Sequence, residues 1–189
     1  SDYHKNGYLP EALINFMVLL GWNPGTEKEI FSLSELVEEF SIEKVQKAGA
    51  VFNLQRLDFI NGFYIRQKTT EKLAKLCLPY FSEEKVKNFP AKMLEKIVQA
   101  YKTRLKKLSN IKDLTDFFFE DSLKYEKSLL RWKNMEDGEI KNSLEKSYNI
   151  LSGFKKYDKK DLEEALLQEA KKFNLENGYP EKDRGYLLW

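Results

Sequence analysis

The chain has 189 residues and a formal charge of +2 from 32 basic and 30 acidic side chains, so net charge alone announces no polyanionic partner. One cysteine, Cys77, and one histidine, His4, exclude a disulfide framework, a Cys/His zinc site and a His-based catalytic triad. Aromatic residues reach 14% while Gly and Pro number only 9 and 5, which excludes wholesale disorder and favours helix over turn-rich β-structure.

Pro10 at a first-turn position, Glu11 behind it and Gly21 at the far end predict a short helix. Its positions Leu13 to Leu20 are apolar nearly all round, the pattern of a helix buried between other elements. Asn23-Pro24-Gly25 reads as a turn. Ser32 and Glu35 then fit a capping box at a helix start, and Phe40-Ser41 ends that helix. Ser41 is expected to cap a further helix through Lys47, closed by Gly49. Residues 51–65 read as a short helix followed by an extended piece. From Thr70 the helices lengthen, over 70–81, 82–88, 91–108, 111–119, 129–132, 137–151 and 161–173, before a turn at Asn177-Gly178-Tyr179-Pro180. No stretch approaches the roughly 18 apolar residues of a membrane span, and no signal-peptide pattern is visible, so the chain reads as soluble and cytoplasmic. Starting at Ser1 without Met and stopping on Leu187-Leu188-Trp189, it reads as a piece of a longer protein.

The near-zero net charge hides an uneven distribution. Residues 26–43 carry six Glu against Lys28, a balance of −5. Residues 75–108 carry nine cations against Glu83, Glu84 and Glu95, a balance of +6. A local cationic patch is what RNA binding requires, because phosphate neutralisation and counterion release supply most of the affinity. A solvated lysine-rich face, or a helical protein-interaction module meeting an acidic partner, reads the same way. Only five basic residues are arginine, Arg56, Arg66, Arg104, Arg131 and Arg184, and arginine is the better fork for bases and phosphates. On a continuous helix over 91–108, Arg104 lies about 60° from the centre of an apolar stripe of Met93, Leu94, Ile97, Val98, Tyr101, Leu105 and Leu108. There it is either salt-bridged to a neighbouring helix or held rigidly toward a base. Arg56 and Arg66 flank Asn61-Gly62 and suit phosphate contacts, or ion pairs with the acidic 26–43 segment. Tyr64, Trp132 and Phe117-Phe118-Phe119 read as core before base-stacking platforms. Cys77, between Leu76 and Leu78, reads as a buried inert thiol.

Three motifs in order carry a family resemblance: Gly7-Tyr8-Leu9-Pro10-Glu11-Ala12-Leu13 with Leu20-Gly21-Trp22, Phe31-Ser32-Leu33-Ser34-Glu35-Leu36, and Gly49-Ala50-Val51-Phe52-Asn53-Leu54-Gln55-Arg56-Leu57 with Asn61-Gly62-Phe63-Tyr64-Ile65. Arg104-Leu105-Lys106-Lys107-Leu108 ahead of the three Phe, and Leu130-Arg131-Trp132-Lys133 after Tyr125, agree with it. The sequence resembles the part of a bacterial-type, class I glutamyl-tRNA synthetase that follows the catalytic KMSKS loop. The resemblance implies a mainly α chain: a small mixed α/β stem-contact module over 1–70, then an all-helical anticodon-binding bundle. The bundle is expected as a first subdomain over 71–150 and the truncated start of a second over 151–189. It implies a partner, tRNA-Glu with tRNA-Gln left open, and a monomer. It also implies that Arg104 reads an anticodon base, beside tRNA contacts from Lys102, Lys106, Lys107, Arg56 and Arg66. The Rossmann domain of such an enzyme, with its HIGH-like and KMSKS motifs, is missing from these residues, as is the Pro-Leu-Arg segment expected after Trp189. No catalytic or metal-binding residue is therefore assigned, and ATP with Mg belongs to the parent's catalytic domain.

Overall fold

The computed structural model describes residues 2–46, 51–87, 89–131 and 133–180. The expected close of a helix at Lys47 to Gly49, and Trp132, Arg184 and Trp189, lie outside them. The chain divides into two compact units, Ser1–Ser122 and Leu123–Trp189. The first contains α1 (Asp2–Lys5), α2 (Pro10–Gly21), α3 (Leu33–Glu39), α4 (Leu54–Gln67), α5 (Thr70–Cys77), α6 (Glu83–Val86), α7 (Ala91–Tyr101) and α8 (Asn110–Thr115). The second contains α9 (Asp137–Ser152) and α10 (Lys159–Asn177). The mainly α reading holds. Among the described residues, β pairing is limited to one isolated antiparallel bridge between Trp22 and Val45.

Local chemistry explains most helix starts. Ser32 accepts from the Glu35 amide while Glu35 accepts from the Ser32 amide, closing the expected capping box on α3. Asn53 caps α4 and Thr69 caps α5 in the same way, each through its side-chain oxygen. Four expectations need correction. α2 is buried on one side only, through Ala12, Asn15 and Phe16, while Met17 stays 59% exposed. Ser41 bonds the Glu43 carboxylate rather than a backbone amide, so only a 3₁₀ turn over Ile42–Lys44 forms there. Residues 54–67 form one continuous helix with no extended piece. α7 stops at Tyr101, and Lys102–Arg104 is a 3₁₀ turn leading into extended backbone at Leu105.

Apart from a smaller separate cluster of Trp22, Phe31 and Leu36, one large core unites most of the first unit. Phe16 from α2, Leu57, Ile60 and Ile65 from α4, Leu73 and Cys77 from α5, Val98 from α7, Leu105 and Ile111 meet in it, all essentially inaccessible to solvent. Burial of each large aliphatic side chain contributes about 1.5–3 kcal/mol. The border expected at residue 70 thus falls inside a shared core: helices on both sides of it depend on the same apolar contacts. Burial also pushes the Cys77 thiol up to about 12, leaving it unreactive near neutral pH. In the second unit, α9 and α10 pack through Ile140, Ala170 and Phe173 with Met135, and a Lys146–Glu169 ion pair at 2.9 Å bridges the helices.

Gly7 fixes how the chain enters this core. Its φ of +86° lies in the region that favours glycine, and a Cβ there would sit 2.6 Å from the backbone nitrogens of Leu108 and Ser109. Neither obstacle is a flexible side-chain tip. Gly7→Ala is therefore expected to lower unfolding free energy by about 3 kcal/mol or more, read from urea denaturation.

Candidate nucleic-acid interface

The cationic residues sit on a scaffold organised by one buried amide. Asn61, on the core side of α4, accepts from the Leu9 amide at 2.8 Å and donates to the Gly7 carbonyl at 3.3 Å and the Lys106 carbonyl at 2.6 Å. Leu108 N donates to the same Gly7 carbonyl at 3.0 Å, and the Ser109 hydroxyl to the Asn6 carbonyl at 2.8 Å. These partners explain why α7 ends early. The backbone of 105–109 satisfies its polar groups against Asn61 and residues 6–7 instead of continuing the helical ladder. Leu105 and Leu108 drop into the core while the residues between them turn outward.

Gly62 permits the close approach. A Cβ at Gly62 would lie 3.2 Å from the Leu105 carbonyl and 3.1 Å from Arg66 Nη1, so the Arg66 guanidinium rests beside the 105–106 backbone. Lys106 is exposed, and Lys107 Nζ stands 5.9 Å from the centroid of the Tyr8 ring. The Tyr8 phenol donates to Asp58 at 2.6 Å, and burial, followed by that bond, raises its pKa well above the ordinary range. Arg104 is exposed at the end of the 3₁₀ turn, its guanidinium 5.4 Å from the Tyr101 ring centroid. Among the described residues Arg66, Arg104, Lys106 and Lys107 have no carboxylate within ion-pair reach.

The other two candidates are engaged elsewhere. Lys102 Nζ donates to the Lys68 carbonyl at 2.6 Å, closing the C-terminal end of α4. Arg56 lies ten residues before Arg66 on α4, about 15 Å along the axis, with its Nε 2.9 Å from Glu29 Oε1. That contact is a charge pairing without hydrogen-bond alignment. Within the acidic segment Lys28 pairs with Glu35 at 2.8 Å and Glu39 at 3.2 Å. The Lys28 bond and the Ser32 amide hold Glu35 at about 2. Lys85 likewise meets Glu120 at 2.6 Å and Asp116 at 3.4 Å, and the Glu120 bond raises its pKa.

Sequence reasoning marked Asn61-Gly62 as part of a motif but gave Asn61 no role. Its signal was a polar side chain at core spacing between Leu57, Ile60 and Ile65. Asn15 is the parallel case on α2, donating to the Glu29 carbonyl and accepting from the Phe31 amide and the Tyr64 hydroxyl. Among the described residues no group of three or more His, Cys, Asp or Glu side chains could hold a metal ion. No helix among them is long and apolar enough to cross a membrane.

A helical bundle with an unpaired cationic turn defines the class to which the comparisons point. Residues 72–179 match the anticodon binding domain family, and the chain belongs to it. Residues 1–59 match the catalytic domain family of the class I tRNA synthetases for Glu and Gln. The chain is 41% identical over 145 residues to glutamate--tRNA ligase 1 of Caldicellulosiruptor saccharolyticus, covering 72% of this chain and 30% of that protein. It is 38% identical over 168 residues to the glutamate--tRNA ligase of Borreliella afzelii, covering 86% and 34%. A crystal structure of a glutamate tRNA ligase from Elizabethkingia meningosepticum shares the fold, with TM-score 0.76 at 24% identity over 98% of this chain and 35% of that one. The chain spans about a third of the length of these relatives. The comparisons favour the tRNA reading over a protein-interaction module.

Asn61→Asp keeps the acceptor but turns an anionic oxygen toward two buried carbonyls. It is expected to lower unfolding free energy by at least about 2 kcal/mol, whereas an exposed Lys106→Gln control stays within about 0.5 kcal/mol of the parent.

Proposed function

We propose that this chain is the tRNA-binding and anticodon-recognising portion of a cytoplasmic, monomeric glutamyl-tRNA synthetase, which joins glutamate to tRNA-Glu using ATP. Residues 1–70 serve as the stem-contact module, 71–150 as a first anticodon-binding subdomain and 151–189 as the start of a second. The observation that carries the reading is the cluster of Arg66, Arg104, Lys106 and Lys107 without acidic partners among the described residues, three of the four within the segment that matches the anticodon binding domain. Unpaired cations on a rigid backbone are ready for phosphate and base contacts. A paired cation such as Arg56 must first give up its carboxylate.

The part played in aminoacylation is indirect. Lysines 106 and 107 and Arg66 orient the RNA backbone without reading sequence, and Arg104 presents a planar fork to a base edge in the unstacked anticodon loop. Lys102 acts through Arg104 by anchoring the turn that carries it to the end of α4. These residues do not fit ATP or Mg: there is neither a glycine-rich phosphate loop in the sequence nor an acidic cluster of metal-ligand geometry among the described residues. ATP chemistry belongs to the parent's catalytic domain, and no step of it is assigned to this chain.

A mobility-shift titration with a tRNA-Glu transcript across a salt series tests the reading. The apparent association constant is expected to fall steeply with salt, and Lys106→Gln to reduce the logarithmic slope by about 0.7–0.9. Arg104→Gln is expected to cost about tenfold in affinity for tRNA-Glu while leaving an anticodon-swapped transcript nearly unchanged. Equal losses for both transcripts contradict base reading by Arg104, and a flat salt response contradicts RNA binding.

A further inference from the structure

The three consecutive phenylalanines do not share one environment. Phe119 turns inward, its ring 4.8 Å from Phe89 and 5.4 Å from Phe81, as an ordinary core residue. Phe117 and Phe118 turn outward, each 44% exposed, which corrects the expectation that all three are core. Their rings stack on each other at 4.3 Å with an interplanar angle of 29°. Tyr101 meets both nearly edge-on, at 6.5 Å and 6.1 Å, and Arg104 lies over Tyr101. A contiguous row therefore runs from a guanidinium through a tyrosine to two half-exposed phenyl rings.

This row is rigidly mounted. The rings stand on a 3₁₀ turn over Asp116–Phe119 that Phe119 anchors from below. Lys85 bridges Asp116 and Glu120, so both ends of the turn are tied to α6 and their carboxylates are neutralised. At the preceding residue, the Thr115 hydroxyl donates to the Ile111 carbonyl at 2.6 Å. Two apolar rings held outward on so constrained a turn lose area to water with no gain inside the domain, and contiguous exposed apolar surface of this kind marks a contact site. Because the rings are already ordered, a planar ligand would meet little entropic penalty on stacking there.

We propose that Phe117, Phe118 and Tyr101 form a stacking platform for one unstacked nucleobase of a single-stranded RNA loop. Arg104 at its edge takes the base edge, as above. This deepens the tRNA reading above and rests on it. Charge complementarity selects the occupant: the rings are neutral and π-faced, as a base is, Arg104 stands over Tyr101 with no carboxylate in reach among the described residues, and the Asp116 and Glu120 carboxylates flanking the rings are paired with Lys85. All the platform residues lie within the 72–179 match to the anticodon binding domain.

The test uses the 189-residue chain, a tRNA-Glu transcript, and a set of the same transcript made abasic at each anticodon-loop position in turn. Phe118→Leu keeps apolar bulk but removes the π face, and is expected to weaken binding of the intact transcript about 5- to 30-fold, the lower part of the range for one base–aromatic stack. Phe118→Tyr is expected to bind like the parent. One abasic position is expected to weaken the parent by a similar factor and to weaken Phe118→Leu no further, with the salt slope unchanged because no phosphate contact is lost. Ultraviolet crosslinking of the unmutated chain to a transcript carrying 5-bromouracil at that position is expected to label a peptide containing Tyr101, Phe117 or Phe118. The platform is overturned if Phe118→Leu binds intact RNA like the parent, if its loss adds fully to that of every abasic position, or if crosslinks map elsewhere. A parent chain that binds none of the transcripts overturns the tRNA reading, and the platform with it.

Discussion

One buried amide, that of Asn61, sets the geometry on which the rest of the first unit depends. A primary amide offers two donors and an acceptor in one plane, and here it serves the Leu9 amide, the Gly7 carbonyl and the Lys106 carbonyl at once. Each of those backbone groups lies in irregular chain, where no helical ladder would satisfy it, and a buried polar group left unpaired costs about 1–3 kcal/mol. Three segments far apart in sequence, residues 6–9, α4 and residues 105–109, therefore assume one mutual arrangement. Gly7 and Gly62 are its steric counterpart: a side chain at Gly7 would collide with the 105–109 backbone, and one at Gly62 would crowd the Leu105 carbonyl.

The same arrangement decides which charges remain available. Were α7 to continue to residue 108, its lysines would be spread around a solvated cylinder. Broken at Tyr101 and pinned at Lys106, the segment instead presents Arg104, Lys106 and Lys107 from a short rigid path beside Arg66. The acidic segment over 26–43 is only partly matched, Lys28 and Arg56 pairing with Glu29, Glu35 and Glu39, and none of its carboxylates lies in ion-pair reach of the cationic turn among the described residues. A balanced total charge is thus compatible with a strongly directed local field.

Much of this was legible in the sequence wherever the controlling interaction is local. The capping box at Ser32 and Glu35 and the proline start of α2 depend on residues within one turn of each other. The family motifs likewise announced a helical anticodon-binding chain. Illegible were the features set by distant partners. Periodicity carried α7 on to Leu108, since Leu105 and Leu108 keep helical spacing; the capture of the 105–109 backbone by Asn61 and residues 6–7 breaks it. The extended piece expected within residues 51–65 does not form, since Asn61 and Gly62 sit inside a helix and answer a backbone on another segment. Among the candidate cations, charge and residue type could not separate Arg56 and Lys102, which are engaged with Glu29 and the Lys68 carbonyl, from Arg66, Arg104, Lys106 and Lys107. Nor could composition tell Phe119 from its two outward neighbours.

If the path pinned by Asn61 is an RNA-binding surface, bound RNA must shield its backbone from solvent. Amide hydrogen exchange of the whole chain, with and without saturating tRNA-Glu transcript, tests it most directly. Added protection is expected over residues 101–107 and 116–119, with little change in α3 and the acidic residues around it. Protection confined to the acidic segment, or none in either region under conditions where the transcript is bound, would contradict it.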